Sequence, residues 1–308
     1  MKAKKFAALL LIFVATFAAL IWIAVKNAHI TRAPILEGIK ANQIIRLEID
    51  SSGKTVELIK ENGLWEMKKP ISDLADQDSV SQIATALPQI ILEDIATKDP
   101  ASYPDYGISS SSATHLVAYA SISPKPILNG YFGRQAFGWD SAYFRFSKMP
   151  DVYMTSGLNS SRLAQDPDNF RERAFFPKSL GTLSSIEVLP RNAKAYTLSP
   201  SSPTWATVSS IRLSSFINAT PLIDHFKKPR AALKASLGNQ SVEWLIGDPQ
   251  TDKSKKPIFY YAKSENRGLI GLVSSYEVDT LLPQKPVHQT RKFSTNKSGT
   301  LQIKRRPR

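Results

Sequence analysis

Residues 44–67 read Ile44-Ile45-Arg46-Leu47-Glu48-Ile49-Asp50-Ser51-Ser52-Gly53-Lys54-Thr55-Val56-Glu57-Leu58-Ile59-Lys60-Glu61-Asn62-Gly63-Leu64-Trp65-Glu66-Met67. Ile45, Leu47 and Ile49 alternate with Arg46 and Glu48, the period-two pattern of a half-buried strand. Thr55 to Lys60 repeats that alternation. Asn62-Gly63 then marks a tight turn into Leu64-Trp65-Glu66-Met67. The stretch predicts a three-strand antiparallel meander.

Outward from it, Pro70 ends the meander, and Asp73, Asp76 and Asp78 lead into a helical pattern with Val80, Ile83 and Leu87 on one face. The three aspartates lack the glycine and terminal glutamate of a calcium loop. Helix capping and the N-terminal dipole account for acids there without a metal. After a loop-like stretch containing Tyr103, Tyr106 and Gly107, strand-like runs follow at His115–Ala120, Ile127–Phe132, Ala142–Phe146 and Val152–Thr155. A short helix is expected around Leu158–Leu163, and Phe170 to Phe176 reads as an aromatic and arginine bridge.

The second half repeats the plan. Ile186-Glu187-Val188 matches Leu47-Glu48-Ile49, and Trp205 matches Trp65, each read as closing a meander before a helix (in the second half around Ile211 to Ile217). The strand ending at Gly247 resembles the one ending at Gly133. Phe259-Tyr260-Tyr261 echoes Ala142-Tyr143-Phe144, Leu269–Val273 echoes Val152–Thr155, and a Ser-led helix follows each at Ser156 and Ser274. Parallel winding would need long crossover helices between most strands, and they are missing. The expected class is α+β: an N-terminal transmembrane helix, then two similar lobes, each an antiparallel sheet with one main packed helix. The expected segments are 1–5 (cytoplasmic start), 6–25 (transmembrane helix), 26–40 (linker), 41–178 and 179–284 (lobes) and 285–308 (basic tail).

The chain has 308 residues, no cysteine, and 40 Lys+Arg against 26 Asp+Glu, a formal net charge of +14. The missing cysteine excludes a disulfide scaffold, a Cys-ligated metal site and a thiol nucleophile. The charge is unevenly placed. Residues 1–40 carry Lys2, Lys4, Lys5, Lys26, Arg32 and Lys40 against Glu37 alone. No acid follows Asp279, while Lys285, Arg291, Lys292, Lys297, Lys304, Arg305, Arg306 and Arg308 do. The body between them is nearly neutral, so the composition does not ask for the basic face of a nucleic-acid binder.

Phe6 to Val25 is an uninterrupted run of apolar residues and one Thr. Twenty helical residues span about 30 Å, the thickness of a bilayer hydrocarbon core. Lys5 and Lys26 flank the run, and Trp22 suits a membrane interface. The run is longer than the apolar core of a signal peptide and has no small-x-small exit. The expectation is an uncleaved single-pass anchor in the cytoplasmic membrane, N-terminus inside and body extracytoplasmic, although the flanking charges are nearly even.

Leu64-Trp65-Glu66, the Pro70–Asp78 lead into a helix, Tyr106-Gly107-Ile108, Tyr131–Gly133, Tyr143-Phe144-Arg145, Val152-Tyr153 and Phe170-Arg171-Glu172-Arg173 run in order. On these features the chain resembles the domain-of-unknown-function family 4340, a bacterial group of membrane-anchored proteins. The resemblance covers about 40–180 well and 180–285 loosely. It implies no activity and no catalytic residues. It does imply companionship with ABC-2-type transporters, including those similar to the gliding-motility system.

The residues name no chemistry of their own. His29, His115, His225 and His288 are far apart and lack ligand spacing. No nucleophile elbow, phosphate loop or dinucleotide fingerprint occurs. Asp166 and Asp168 frame Pro167 as a turn. No catalytic residue, cofactor or metal is expected. The aromatics Tyr131, Phe132, Phe137, Trp139, Tyr143 and Phe144 read mainly as sheet packing, with Phe137 and Trp139 exposed in a hairpin loop. The tail has little to bury and is expected to be disordered alone. Its Arg291, Lys292, Lys304, Arg305, Arg306 and Arg308 suit anionic lipid or an acidic groove, and Leu301 and Ile303 alternate as an added strand would. The expected function is a non-enzymatic membrane-anchored accessory or scaffold subunit of an envelope complex with integral-membrane partners and no nucleic acid. The alternatives are a binding module for an acidic envelope polymer or lipid headgroups, and an envelope hydrolase.

Overall fold

The computed structural model describes residues 14–18, 32–218 and 223–282. The chain divides into two units at Arg173/Ala174. In the first, ten strands form one antiparallel sheet. They are β1 (Ala33–Pro34), β2 (Ile44–Ser51), β3 (Lys54–Glu61), β4 (Leu64–Lys69), β5 (Asp73–Leu74), β6 (Ile91–Thr97), β7 (Thr114–Ala120), β8 (Pro126–Phe132), β9 (Ser141–Phe146) and β10 (Val152–Ser156). Helix α1 (Gln77–Ala86) interrupts the series after β5. The sheet order is β1-β6-β10-β9-β8-β7-β2-β3-β4-β5.

The turns explain the meander. Ser51 pairs with Lys54 and Glu61 with Leu64, so two-residue turns join β2 to β3 and β3 to β4. Ser52-Gly53 and Asn62-Gly63 all have positive φ, between 50° and 84°, as the hairpin turn that matches strand twist requires. Asp76 caps α1 by accepting from Ser79 N–H at 3.0 Å. Val80, Ile83, Ala84 and Leu87 then join Leu47, Ile49, Leu58, Trp65, Met67, Phe132 and Phe144 in one core. Burying side chains of this size stabilises by about 1.5–3 kcal/mol each.

The second unit is a seven-stranded antiparallel sheet of β11 (Leu183–Pro190), β12 (Tyr196–Leu198), β13 (Ser215–Phe216), β14 (Ala231–Leu237), β15 (Gln240–Thr251), β16 (Pro257–Ser264) and β17 (Leu269–Ser274). Its order is β12-β11-β14-β15-β16-β17-β13. Seven strands of the first sheet follow the same path as β3-β2-β7-β8-β9-β10-β6. The shared detail extends to glycines. An added Cβ on Gly133, just past β8, would lie 2.2 Å from Tyr106 O, and one on Gly247, in β15, would lie 2.6 Å from His225 O. In each unit a 3-10 turn lies against the second strand of the hairpin, and only a glycine lets it approach so closely.

The expected α+β class is corrected: the body is mostly antiparallel sheet. Helix α1 spans ten residues, but α2 (Trp205–Ser209) and α3 (Ser275–Leu281) in the second unit span five and seven. The expected helix at Ile211–Ile217 is extended chain. Ile211 and Leu213 are buried on either side of exposed Arg212, and Ser215–Phe216 forms β13. Only Ile211 and Leu213 keep the two-residue step of a strand, and the neighbouring serines favour turns over helix interiors. Trp205 opens α2 and closes no meander; the fully buried tryptophan of this unit is Trp244. Its indole stacks on Phe175 with centroids 3.9 Å apart, and its N–H donates to Phe175 O at 2.9 Å.

The expected membrane-spanning, single-pass helix is corrected as well. Among the described residues no helix is long and apolar enough to cross a membrane. Of the run Phe6–Val25 only residues 14–18 are described, as helix, and five residues cover about 8 Å.

Candidate binding cleft

The first unit places one exposed loop and one cleft beside each other. The loop joins β8 to β9. Gly133 N–H donates to Tyr143 O at 2.8 Å and Tyr143 N–H to Arg134 O at 3.1 Å, which closes its base. Two side chains, Gln135 Nε2 at 2.7 Å and Ser141 Oγ at 2.8 Å, donate to Gly138 O. Gly138 has a φ of 102°, a conformation glycine adopts without steric cost. From the far side Asn159 Nδ2 donates to Trp139 O at 2.8 Å, and Gly157 N–H to Asp140 O at 2.7 Å. The loop is thus held along its length, yet Phe137 and Trp139 are 88% and 89% exposed.

The cleft, of about 500 Å³, is lined by Asp78, Ser81, Gln82, Thr85, Ala86 and Gln89, which belong to α1 and the turn after it, and by Asp140, Gly157 and Arg162. The first group recurs at helical spacing because α1 turns its apolar stripe to the sheet and this polar stripe outward. Asp140 comes from the pinned loop and Arg162 from the turn after β10. Gly157 has a φ of 99°, and a Cβ there would lie 2.7 Å from Gln89 O; glycine lets the two walls meet.

The residues singled out from the sequence are dispersed or structural. Asp73 forms a buried ion pair with Arg171, Asp76 caps α1, and Asp78 lies in the cleft. Arg171 also bonds Asp168 at 2.9 Å. Asp166 bonds Lys54 Nζ at 2.6 Å, and that hydrogen bond holds its carboxyl below the usual carboxylate range. The two aspartates around Pro167 therefore serve separate cations. His115 stacks on Tyr131 at 4.6 Å and bonds Asn129 at 2.9 Å, while the Arg145 guanidinium lies over Tyr131 and Tyr103. His225 stacks on Tyr261 with Asp248 3.6 Å away. Among the described residues no group of three or more His, Asp or Glu side chains is placed to hold a metal. Lys5, Trp22, Lys26, His29, His288 and the tail residues Arg291, Lys292, Leu301, Ile303, Lys304, Arg305, Arg306 and Arg308 lie outside the described residues. Ser81, Gln82, Thr85, Gln89, Asp140 and Arg162 were not singled out. The helical spacing of the first four was readable, but nothing local points from α1 to Asp140 or Arg162.

A family model described as a domain of unknown function (DUF4340) matches residues 65–255. The chain belongs to this family. The DUF4340 match starts at Trp65 in β4 and runs to Lys255 between β15 and β16, so it takes in the loop, the cleft and the Phe170-Arg171-Glu172-Arg173 segment. In that segment Asp76 N–H donates to Phe170 O at 2.8 Å and Glu172 N–H to Leu74 O at 2.9 Å. It ties the end of the first unit back to the entry of α1, a structural role for a family feature. No curated protein and no solved structure matches the chain.

Proposed function

We propose that this protein is a non-enzymatic accessory or scaffold subunit of a bacterial envelope membrane-protein complex, with its body on the extracytoplasmic side. The observation that supports this reading is the pinned loop, which holds Phe137 and Trp139 almost wholly in solvent. Large exposed aromatics on a held backbone lose little conformational freedom on docking, and tryptophan is enriched among residues that dominate interface energies. The partner is an integral-membrane subunit; an ABC-2-type transporter is the candidate implied by the family resemblance.

The test is capture from membranes solubilised in mild detergent. Wild-type chain should retain integral-membrane proteins, and Phe137→Ala with Trp139→Ala should lose them while melting within about 1 °C of wild type, as exposed substitutions change stability by only about 0.5 kcal/mol. Equal capture by both chains removes the loop from the reading. A second role, contact with anionic lipid through the eight basic residues after Asp279, predicts binding to phosphatidylglycerol vesicles that falls as salt is raised.

A further inference from the structure

We propose that the cleft between α1, the β8–β9 loop and the turn at Arg162 is a binding site for an uncharged saccharide. Seven of its lining side chains are polar: Asp78, Ser81, Gln82, Thr85, Gln89, Asp140 and Arg162. Among the described residues, none of the seven is engaged by a side-chain hydrogen bond or ion pair within the chain. Several charged groups elsewhere in the unit are partnered. Arg171 holds Asp73 and Asp168, Arg46 holds Glu48 and Glu57, and Lys68 lies between Glu61 and Glu66. The cleft therefore gathers donors and acceptors from three separate segments and leaves them available.

Their chemistry selects the ligand. Two carboxylates accept only, the guanidinium donates only, and two carboxamides and two hydroxyls do both. Five of the seven groups are planar, and each offers at least two hydrogen-bonding atoms, which suits adjacent hydroxyls on one ring. A sugar hydroxyl both donates and accepts, so a polyhydroxylated ligand can answer the whole mixed set. An apolar ligand would strip water from seven polar groups without replacing their bonds, at about 1–3 kcal/mol for each group left unsatisfied. An anion would face Asp78 and Asp140, and a cation would face Arg162. The walls are also fixed before any ligand arrives. The Gly157–Gln89 approach sets the α1 side, and the bonds from Gly157 N–H to Asp140 O and from Asn159 to Trp139 O set the loop. Preformed walls reduce the ordering cost of binding.

The experiment is titration of the full-length chain, in buffer free of sugar-based detergent, with neutral gluco-, manno- and N-acetylglucosamine oligosaccharides, read by calorimetry and saturation-transfer NMR. At least one series should bind saturably. Gln82→Ala, Gln89→Ala and Asp140→Ala, all at exposed positions, should each weaken it about tenfold, the equivalent of roughly 1.4 kcal/mol, with unchanged melting. Phe137→Ala should leave saccharide affinity within about twofold, because Phe137 neither lines the cleft nor makes any of the bonds that set its walls; its effect on partner capture is therefore read separately. No saturable binding by any series, or binding that the three variants leave intact, overturns the proposal. So does saturable binding of a charged polymer or a peptide in place of every neutral sugar.

Discussion

Arg171 Nε donates to Asp73 Oδ2 across 3.0 Å, with the two side chains only 3% and 2% exposed. Ninety-eight positions separate them in sequence. The pair joins the last segment of the first unit to β5, just before α1. Breaking a buried, hydrogen-bonded charge pair by removing one partner costs about 3–5 kcal/mol, towards the lower end for Asp73→Ala because Arg171 keeps Asp168 at 2.9 Å. Asp73→Ala and Arg171→Ala should each lower the calorimetric melting temperature by many degrees. Asp73→Leu with Arg171→Leu should cost less than the sum of the two alanine changes. Additive losses would show that the two groups are not coupled.

The two close glycines test the correspondence between the units. Gly133→Ala and Gly247→Ala each place a methyl against a backbone carbonyl, at 2.2 and 2.6 Å, and overpacking of this kind costs about 1–3 kcal/mol. Gly53→Asn is the control: it has open space around it and a φ of 75° that asparagine tolerates. Both alanine variants should melt lower and the control within a degree or two of wild type. A silent Gly133→Ala or Gly247→Ala contradicts the close approach at that turn.

Trp244 and Trp205 should respond differently. Trp244→Phe deprives the buried Phe175 carbonyl of its donor, costing about 1–3 kcal/mol before any cavity is counted. Trp205 is half-buried at the first position of a five-residue helix, and Trp205→Phe should cost well under half as much. Urea unfolding followed by far-UV circular dichroism compares the two, and equal losses would contradict the assignment of Trp244 as the core tryptophan.

Glu277 gives a pH dependence. Burial raises its carboxyl above the ordinary value of 4.5, and hydrogen bonds from Arg212 and Ser274 N–H only partly offset that. The folded chain thus keeps this proton to higher pH than the unfolded chain does. Its contribution to stability is present below the unfolded value and is lost as pH rises through the folded one. Glu277→Gln should match wild type near pH 4 and exceed it at pH 7 in thermal melts. Parallel curves across that range would contradict the shift.

Much of the first unit was legible because its signals are local. Alternation at Ile45–Ile49 and Thr55–Lys60, the Asn62-Gly63 turn and the Asp76 cap each act over a few residues. The second unit was less so. The Trp65–Trp205 match put weight on a single shared residue type, and Ile211, Leu213 and Phe216 carry too few contacts to separate a short helix from extended chain by spacing. The cleft was half legible: Ser81, Gln82, Thr85 and Gln89 form a helical stripe, but a polar stripe on a surface helix is ordinary. Only the return of the chain at Asp140 and Arg162 makes it a wall.

The sequence by itself determined the antiparallel class of strand, the turns, the cap of α1, the neutral body with charged ends and the family. These follow from dihedral preference, capping chemistry and side-chain period, all of which act between near neighbours. Tertiary structure alone decided that Asp73 meets Arg171, that Trp244 is the second unit's buried tryptophan, and that α1 shares a cleft with a loop more than fifty residues away. Strand pairing over long separations sets those meetings, because each strand's register carries its loops with it.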